Sequence, residues 1–139
     1  MNGRWVNRQA LLLLHADSLA EHGGAAGLRD EGLLDSALAA NATLFVPSTV
    51  QLELEWVLRS RYALDKPTVL TTFTALLETQ ELELQCEAAL ERALHLYRQG
   101  TAEFADCLHA GLSEAAAQSP LLTFDAKAVR LDGVHLIGR

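Results

Sequence analysis

The stretch from Thr101 to Lys127 constrains the fold most, because a helical pattern is followed there by a short apolar run that ends in a carboxylate. The predicted helix takes Thr101 as its N-cap and opens acidic, at Glu103 and Asp106. The run 121–124 predicts a buried strand, and Asp125 follows it directly. Helices and strands in this order are typical of α/β folds, whose sites lie at the carboxyl ends of parallel strands.

Short apolar strands alternate with helices along the rest of the chain. The strands are predicted at 44–46, 82–84 and 134–137, and the helices between them at about 48–61, 66–79 and 87–99. This alternation predicts a parallel sheet flanked by helices, the α/β class. Two further helical patterns, at 6–21 and 30–40, predict an extra N-terminal helical pair.

The composition excludes some classes of function. The chain has 139 residues and a net charge of -7, which argues against passive, sequence-independent nucleic-acid binding. It does not argue against a nuclease, because metal ions supply positive charge at the scissile phosphate. Two cysteines are too few for a disulfide framework, and no apolar run reaches the length of a signal peptide core or a membrane span. We expect a cytoplasmic protein with no membrane partner.

Two glutamates two positions apart on the helix at 48–61 have different neighbours. Glu55 precedes Arg59 by four residues, which predicts a surface ion pair. Glu53 has apolar neighbours at helical spacing, Val50 and Trp56, so we expect it to project from an apolar face. A charged residue on such a face needs an ionic partner, a metal ion or a proton.

The other acids have both a functional and a structural interpretation. Converging carboxylates bind hard divalent ions such as Mg²⁺. However, Glu103 and Asp106 also favour the dipole at a helix start, and Asp125 can be the N-cap of the turn that follows it. The pattern alone leaves these alternatives open. The five histidines have no zinc-ligand spacing, and we assign them no role.

Three segments together resemble a PIN domain of the VapC toxin type. They are FVPSTVQLELEWVLRSRYAL, ALERALHLYRQGTAEFADCLHAGLSEAAA and LLTFDAKAVRLDGVHLI, in family order and spacing over roughly the last two thirds of the chain. The resemblance implies that Glu53, Asp106 and Asp125 are catalytic carboxylates, and that with Glu103 they bind Mg²⁺ or Mn²⁺. Glu103 stands where many members have an aspartate. Thr123 is expected to orient Asp125 or a water.

The first forty residues do not resemble a PIN domain, since no strand ending in Asp-Thr-Asn is present. The segment HADSLAEHGGAAGLRDEGLLDSALA is instead similar to the N-terminal helices of Fic/Doc toxins, although the catalytic Fic loop is absent. We therefore expect a Fic/Doc-like helical segment over 1–41 and a PIN-like domain over 42–139. That domain would be an incomplete PIN-like parallel sheet flanked by helices, without its first strand and first aspartate.

The resemblance implies a toxin of a type II toxin–antitoxin system, acting as a Mg²⁺-dependent endoribonuclease on RNA and held by a cognate antitoxin. Because the first aspartate is missing, an alternative stays open: a catalytically dead protein, a toxin relic or Fic/Doc–PIN fusion, that still binds the antitoxin. The missing strand leaves the run 121–124 with an unpaired edge. Either the N-terminal helices cover that edge, or a second copy covers it in a homodimer.

Overall fold

The computed structural model describes residues 43–138 of the chain. The predicted N-terminal helical pair, and with it the Fic/Doc-like segment at 1–41, lies outside these residues. The chain divides into two compact units, Met1–Gln85 and Cys86–Arg139, whose described parts are 43–85 and 86–138. The predicted boundary between domains at residues 41 and 42 stays a prediction.

The first unit contains two strands and two helices. They are β1 (Leu44–Val46), α1 (Ser48–Ser60), α2 (Lys66–Leu77) and β2 (Leu82–Leu84). Pro47 separates β1 from α1, as predicted, because proline cannot donate to the strand ladder. Asp65 caps α2 by accepting a hydrogen bond from the backbone nitrogen of Thr68 at 3.0 Å. β1 pairs with β2 in parallel, with Leu44 opposite Leu82.

A buried glutamine holds the carboxyl ends of these two strands. The side-chain nitrogen of Gln51 donates to the carbonyl oxygens of Val46, at 3.2 Å, and Gln85, at 3.0 Å. Both carbonyls lie where a strand ends and would otherwise need a partner. Gln51 therefore fixes the edge of the first unit from which α1 begins.

The second unit contains two longer helices and a second strand pair. Its elements are α3 (Glu87–Gln99), α4 (Phe104–Ala115), β3 (Leu121–Thr123), a 3₁₀ helix (Ala128–Arg130) and β4 (Val134–Leu136). Gly100 ends α3, as predicted. The predicted start of α4 at Thr101 is wrong, because Glu103 is still extended, with φ -69° and ψ 153°. Residues 101–103 form the connection between α3 and α4, so α4 begins only at Phe104.

Helices α3 and α4 pack closely against each other. The rings of Tyr97 and Phe104 meet edge to face, with centroids 5.6 Å apart. Further along the pair, Gly111 lies so close to α3 that a methyl group in its place would be 2.3 Å from the carbonyl oxygen of Ala89. The absence of a side chain at Gly111 sets how closely the two helices approach.

The strand pairings confirm the α/β class, since both are parallel and helices connect the strands. Within residues 43–138, the four strands form two separate pairs, β1–β2 and β3–β4. Backbone bonds from Leu121 to Gly133 and from Ile137 to Thr123 join β3 to β4. The alternation of a parallel ladder then directs the N–H and C=O of Leu122 away from β4. That edge has no strand partner among the described residues.

The prediction that the run 121–124 is a buried strand is wrong. Leu122 is 61% exposed and Phe124 is 81% exposed. Successive side chains of a strand point to opposite faces, so Leu122 lies on the face opposite Leu121 and Thr123, and that face is open to solvent; Phe124 lies beyond the end of β3. Whether the N-terminal segment or a second copy covers the open edge of β3 stays a prediction.

Replacing Gly111 by alanine should destabilise the protein, although alanine is the better helix former. The added methyl group would overlap the backbone of α3. We expect the free energy of unfolding to fall by about 1–3 kcal/mol, the usual range for overpacking. Urea unfolding measures it. The control is Gly138→Ala, where an added methyl group meets nothing within 4 Å. Equal stability of the two variants would contradict the packing account.

Candidate functional site

Asp106 and Asp125 come from neighbouring elements of the second unit. Asp106 lies in the first turn of α4, and Asp125 follows β3, the strand that α4 contacts. Asp106 is half-buried, and burial raises its pKa, with the negative charges of Asp125 and Glu103 adding to the effect. Asp106 therefore interacts electrostatically with both Asp125 and Glu103.

Asp125 is held in a fixed orientation by its own loop. The hydroxyl oxygen of Thr123 accepts a hydrogen bond from the backbone nitrogen of Asp125 at 3.0 Å, as predicted. Oδ1 of Asp125 accepts one from the backbone nitrogen of Lys127 at 2.8 Å, which is the capping interaction named as its structural alternative. The two interpretations are compatible, because Oδ2 accepts no hydrogen bond from a described residue.

Glu103 occupies the N-cap position of α4 without capping it through its side chain. The residue is exposed, and its charge adds to the raised pKa of Asp106 one turn further along. At the start of α4 its negative charge also interacts favourably with the helix dipole, which is the structural interpretation given for Glu103 from the sequence. Glu103 therefore contributes charge to the acid group rather than a helix cap.

On α1 the structure reverses the predicted environments of the two glutamates. Glu55 is only 4% exposed, and its Oε1 accepts a hydrogen bond from Nε of Arg59 at 3.0 Å. The predicted ion pair is present, but it is not a surface pair. Glu53 is exposed and does not project from a buried apolar face. The reason is that Gln51, Leu54 and Glu55 lie on the buried side of the helix, which excludes position 53.

One known family matches most of the chain. The family model of the PIN domain matches residues 25–134. The chain belongs to the PIN domain family. The match spans Glu53, Glu103, Asp106 and Asp125, and it starts inside the segment predicted to be Fic/Doc-like. The VapC type, the Fic/Doc segment and the missing first strand remain predictions. No curated protein and no solved structure gives a significant match.

The acids of this PIN domain do not form a complete metal site within residues 43–138. No three histidine, cysteine, aspartate or glutamate side chains in that range are placed to hold one metal ion together. Glu53 belongs to the first unit and the other three acids to the second. Its grouping with them, and the metal-binding role of all four, stay predictions.

His109 is a neighbour of the site that the sequence reasoning passed over. It lies one turn after Asp106 on α4, and its charge acts on Asp106 in the direction opposite to Asp125, lowering its pKa. Residues three apart on a helix lie on the same face. The spacing of three residues between Asp106 and His109 is thus a signal in the sequence that the two side chains lie near each other.

The described helices also bear on the predicted absence of a membrane partner. Between residues 43 and 138, no helix is both long enough and apolar enough to cross a bilayer.

Neutralising the two glutamates of α1 should have unequal effects on stability. Glu55→Gln removes the buried negative charge that accepts the hydrogen bond from Arg59 and should lower the free energy of unfolding by about 1.5–3 kcal/mol. Glu53→Gln changes an exposed side chain and should stay within about 0.5 kcal/mol of the unmodified protein. Urea titrations of both variants provide the comparison. A larger loss in Glu53→Gln would contradict the burial of α1.

Asp106→Asn should stabilise the protein at neutral pH. The pKa of Asp106 is higher in the folded protein than in the unfolded chain. Between these two pKa values the folded protein therefore binds more protons than the unfolded chain. Stability is therefore lost with rising pH, and the variant escapes that loss. We expect a gain of about 0.5 kcal/mol at pH 7, reduced by solvent screening. The gain should vanish below about pH 4, where an unfolded aspartate is also protonated.

Chemical denaturation of both proteins across this pH range gives the test. Glu91→Gln, an exposed acid elsewhere on the second unit, is the control for a change in net charge. A gain that is independent of pH, or one shared by Glu91→Gln, would show that repulsion within the acid group is not its source.

Proposed function

We propose that this PIN domain is a nuclease that cleaves RNA, and that it is the toxin of a type II toxin–antitoxin pair. One observation carries the proposal. Asp106 and Asp125 interact electrostatically where α4 meets the carboxyl end of a parallel strand, inside the region that matches the family. This is the place where α/β folds build sites. The VapC-like segments of the sequence support the toxin assignment.

The proposed cofactor is Mg²⁺ or Mn²⁺, with Glu53, Glu103, Asp106 and Asp125 as ligands. Hard divalent ions prefer carboxylate oxygens, and an ion bound here supplies positive charge to a phosphodiester. The contribution of the chain itself is to hold the acids in place. Thr123 and Lys127 fix the loop that carries Asp125, and α4 keeps Asp106 half-buried beside it.

A second function is favoured by that incomplete set: a catalytically dead protein that binds its antitoxin. Asp106 and Asp125 repel each other, and no third donor in residues 43–138 joins them around a metal ion. An arginine of a partner peptide would relieve the repulsion, because a guanidinium donates to two carboxylate oxygens at once. The resemblance to VapC-type toxins implies an antitoxin partner that places a peptide over the acids. The two functions differ in whether the acids bind a metal ion.

Calorimetric titration of Mn²⁺ into the purified protein separates the two functions. The test variant is the triple change Glu53→Gln, Asp106→Asn, Asp125→Asn. If the acids form a metal site, we expect this variant to bind Mn²⁺ at least about 10-fold more weakly than the unmodified protein. Cleavage of single-stranded RNA should then require the ion and be lost in the variant.

A matched control removes the same number of negative charges from exposed positions that the site does not use. This control is the triple change Glu78→Gln, Glu83→Gln, Glu91→Gln. It should bind Mn²⁺ like the unmodified protein. Equal weakening in both triple variants would mean that net charge alone attracts the ion. Absence of Mn²⁺ binding in the unmodified protein would refute the nuclease and favour antitoxin binding.

A further inference from the structure

Exposed apolar side chains of the second unit are concentrated at its strand pair. Leu122, Phe124, Leu136 and Ile137 lie on β3, on β4 or within a residue of their ends. Phe124 and Leu122 are the two most exposed large hydrophobic residues that the structure describes. Neighbouring apolar residues that remain exposed to water mark interaction surfaces.

Exposure alternates along the segment that contains β3. Pro120, Leu122 and Phe124 are exposed, whereas Leu121 and Thr123 between them are half-buried. Successive side chains of a strand point to opposite faces, so the three exposed residues lie on one face. We call Pro120, Leu122 and Phe124 the β3 strip. All three of its side chains are apolar.

The β3 strip also lies on an open strand edge. The backbone N–H and C=O of Leu122 point away from β4, and no strand pairs with them in the described part of the chain. An edge of this kind is a template for another strand, because its donors and acceptors need partners. The surface thus offers hydrogen bonds from its backbone and apolar contacts from its side chains.

We propose that this edge pairs with the same edge of a second copy, antiparallel and about a two-fold axis at Leu122. In this register Leu122 faces the second copy's Leu122, and Pro120 of each copy faces Phe124 of the other. The N–H and C=O of the two Leu122 residues bond to each other, as in the hydrogen-bonded pair of an antiparallel ladder. An interface of this symmetry uses one surface twice, so that surface must be self-complementary.

The order of residues along the β3 strip meets this requirement. An apolar residue lies two positions from Leu122 on either side, Pro120 before it and Phe124 after it. A reversed copy of the segment therefore places an apolar side chain opposite each apolar side chain. Such cross-strand pairs are the contacts that stabilise a sheet. A strand with polar residues at these positions would leave Leu122 and Phe124 without apolar neighbours.

The charges of the second unit permit the pairing although the whole chain has a net charge of -7. Residues 115–124 contain no charged residue, and His135, which β4 aligns with Leu122, brings no negative charge. Asp125 is three residues from Leu122, so the two Asp125 residues lie about 20 Å apart along the paired strands at 3.3 Å per residue. Salt screens charges over about 8 Å at physiological ionic strength. Repulsion between the two acid groups is therefore small.

The size of the β3 strip sets the strength of the pairing. Covering the exposed parts of Leu122 and Phe124 in both copies removes on the order of 500 Å² of surface from water, since one phenylalanine buries about 150–250 Å². A stable interface buries roughly 1,200–2,000 Å² in total. The strip therefore fits a weak dimer that forms at high protein concentration.

A cysteine at the two-fold axis tests the register. The background is Cys86→Ser, because Cys86 is an exposed thiol and Cys107 is buried. In the proposed pair the two Cα atoms of residue 122 lie about 5.5 Å apart, a distance that a disulfide spans. Leu122→Cys should therefore form disulfide-linked dimers under mild oxidation, as seen on non-reducing gels. Phe124→Cys is the matched control: it is more exposed, but its two copies lie about 13 Å apart at 3.3 Å per residue and should not cross-link.

Sedimentation equilibrium of the full chain, from micromolar to near-millimolar concentration, measures the dimer itself. We expect the mean mass to rise from one chain toward two. Leu122→Lys places like charges directly opposite each other, so its dissociation constant should be at least about 5-fold higher. Leu136→Lys adds the same charge at an exposed position of β4, away from the open edge, and should dimerise like the unmodified protein. Urea unfolding verifies that the variants are folded.

Three results would overturn the proposal. A chain that stays monomeric to near-millimolar concentration would leave the N-terminal segment, or a different protein, as the cover of the edge. Equal cross-linking at positions 122 and 124 would exclude the two-fold axis at Leu122. Equal dimerisation of Leu122→Lys and Leu136→Lys would place the interface elsewhere. None of these results bears on the nuclease, which the Mn²⁺ titration tests by itself.

Discussion

The close approach of α3 and α4 is the constraint on which the second unit depends. Gly111 permits it, since any side chain there would meet the backbone at Ala89. The same helix that carries Gly111 also carries Asp106, and it contacts β3, the strand that leads to Asp125. The position of the acid pair therefore follows from helix packing. Gly111, a small buried residue, thus helps to set where Asp106 and Asp125 lie.

The position of Asp106 beside Asp125 disfavours its charged form. Burial and like charge both raise the pKa of Asp106, so the folded protein holds an ionised group less favourably than water does. Perturbed acids of this kind cluster at functional sites. A metal ion and a guanidinium relieve the repulsion equally well in principle. The choice between nuclease and antitoxin binder therefore depends on whether the acid group binds a metal ion.

Strand β3 has an open edge in the part of the chain that the structure describes. Parallel sheets are normally covered on both faces and continue through several strands. Here, within residues 43–138, β3 has one neighbour, and Leu122 on that strand is exposed. A strand that paired with this edge would lie near Asp125, which follows β3 directly.

The sequence by itself determined the helix–strand alternation, the parallel pairing, the ends of β1 at Pro47 and of α3 at Gly100, and the family. These follow from hydrophobic period and from residues with restricted or special backbone conformations, which act locally. Only the tertiary structure decided which side of α1 is buried. The sequence neighbours of the two glutamates predicted Glu53 on an apolar face and Glu55 in a surface pair, yet packing buries Glu55 and exposes Glu53. Burial depends on contacts between distant segments, which a local pattern does not contain.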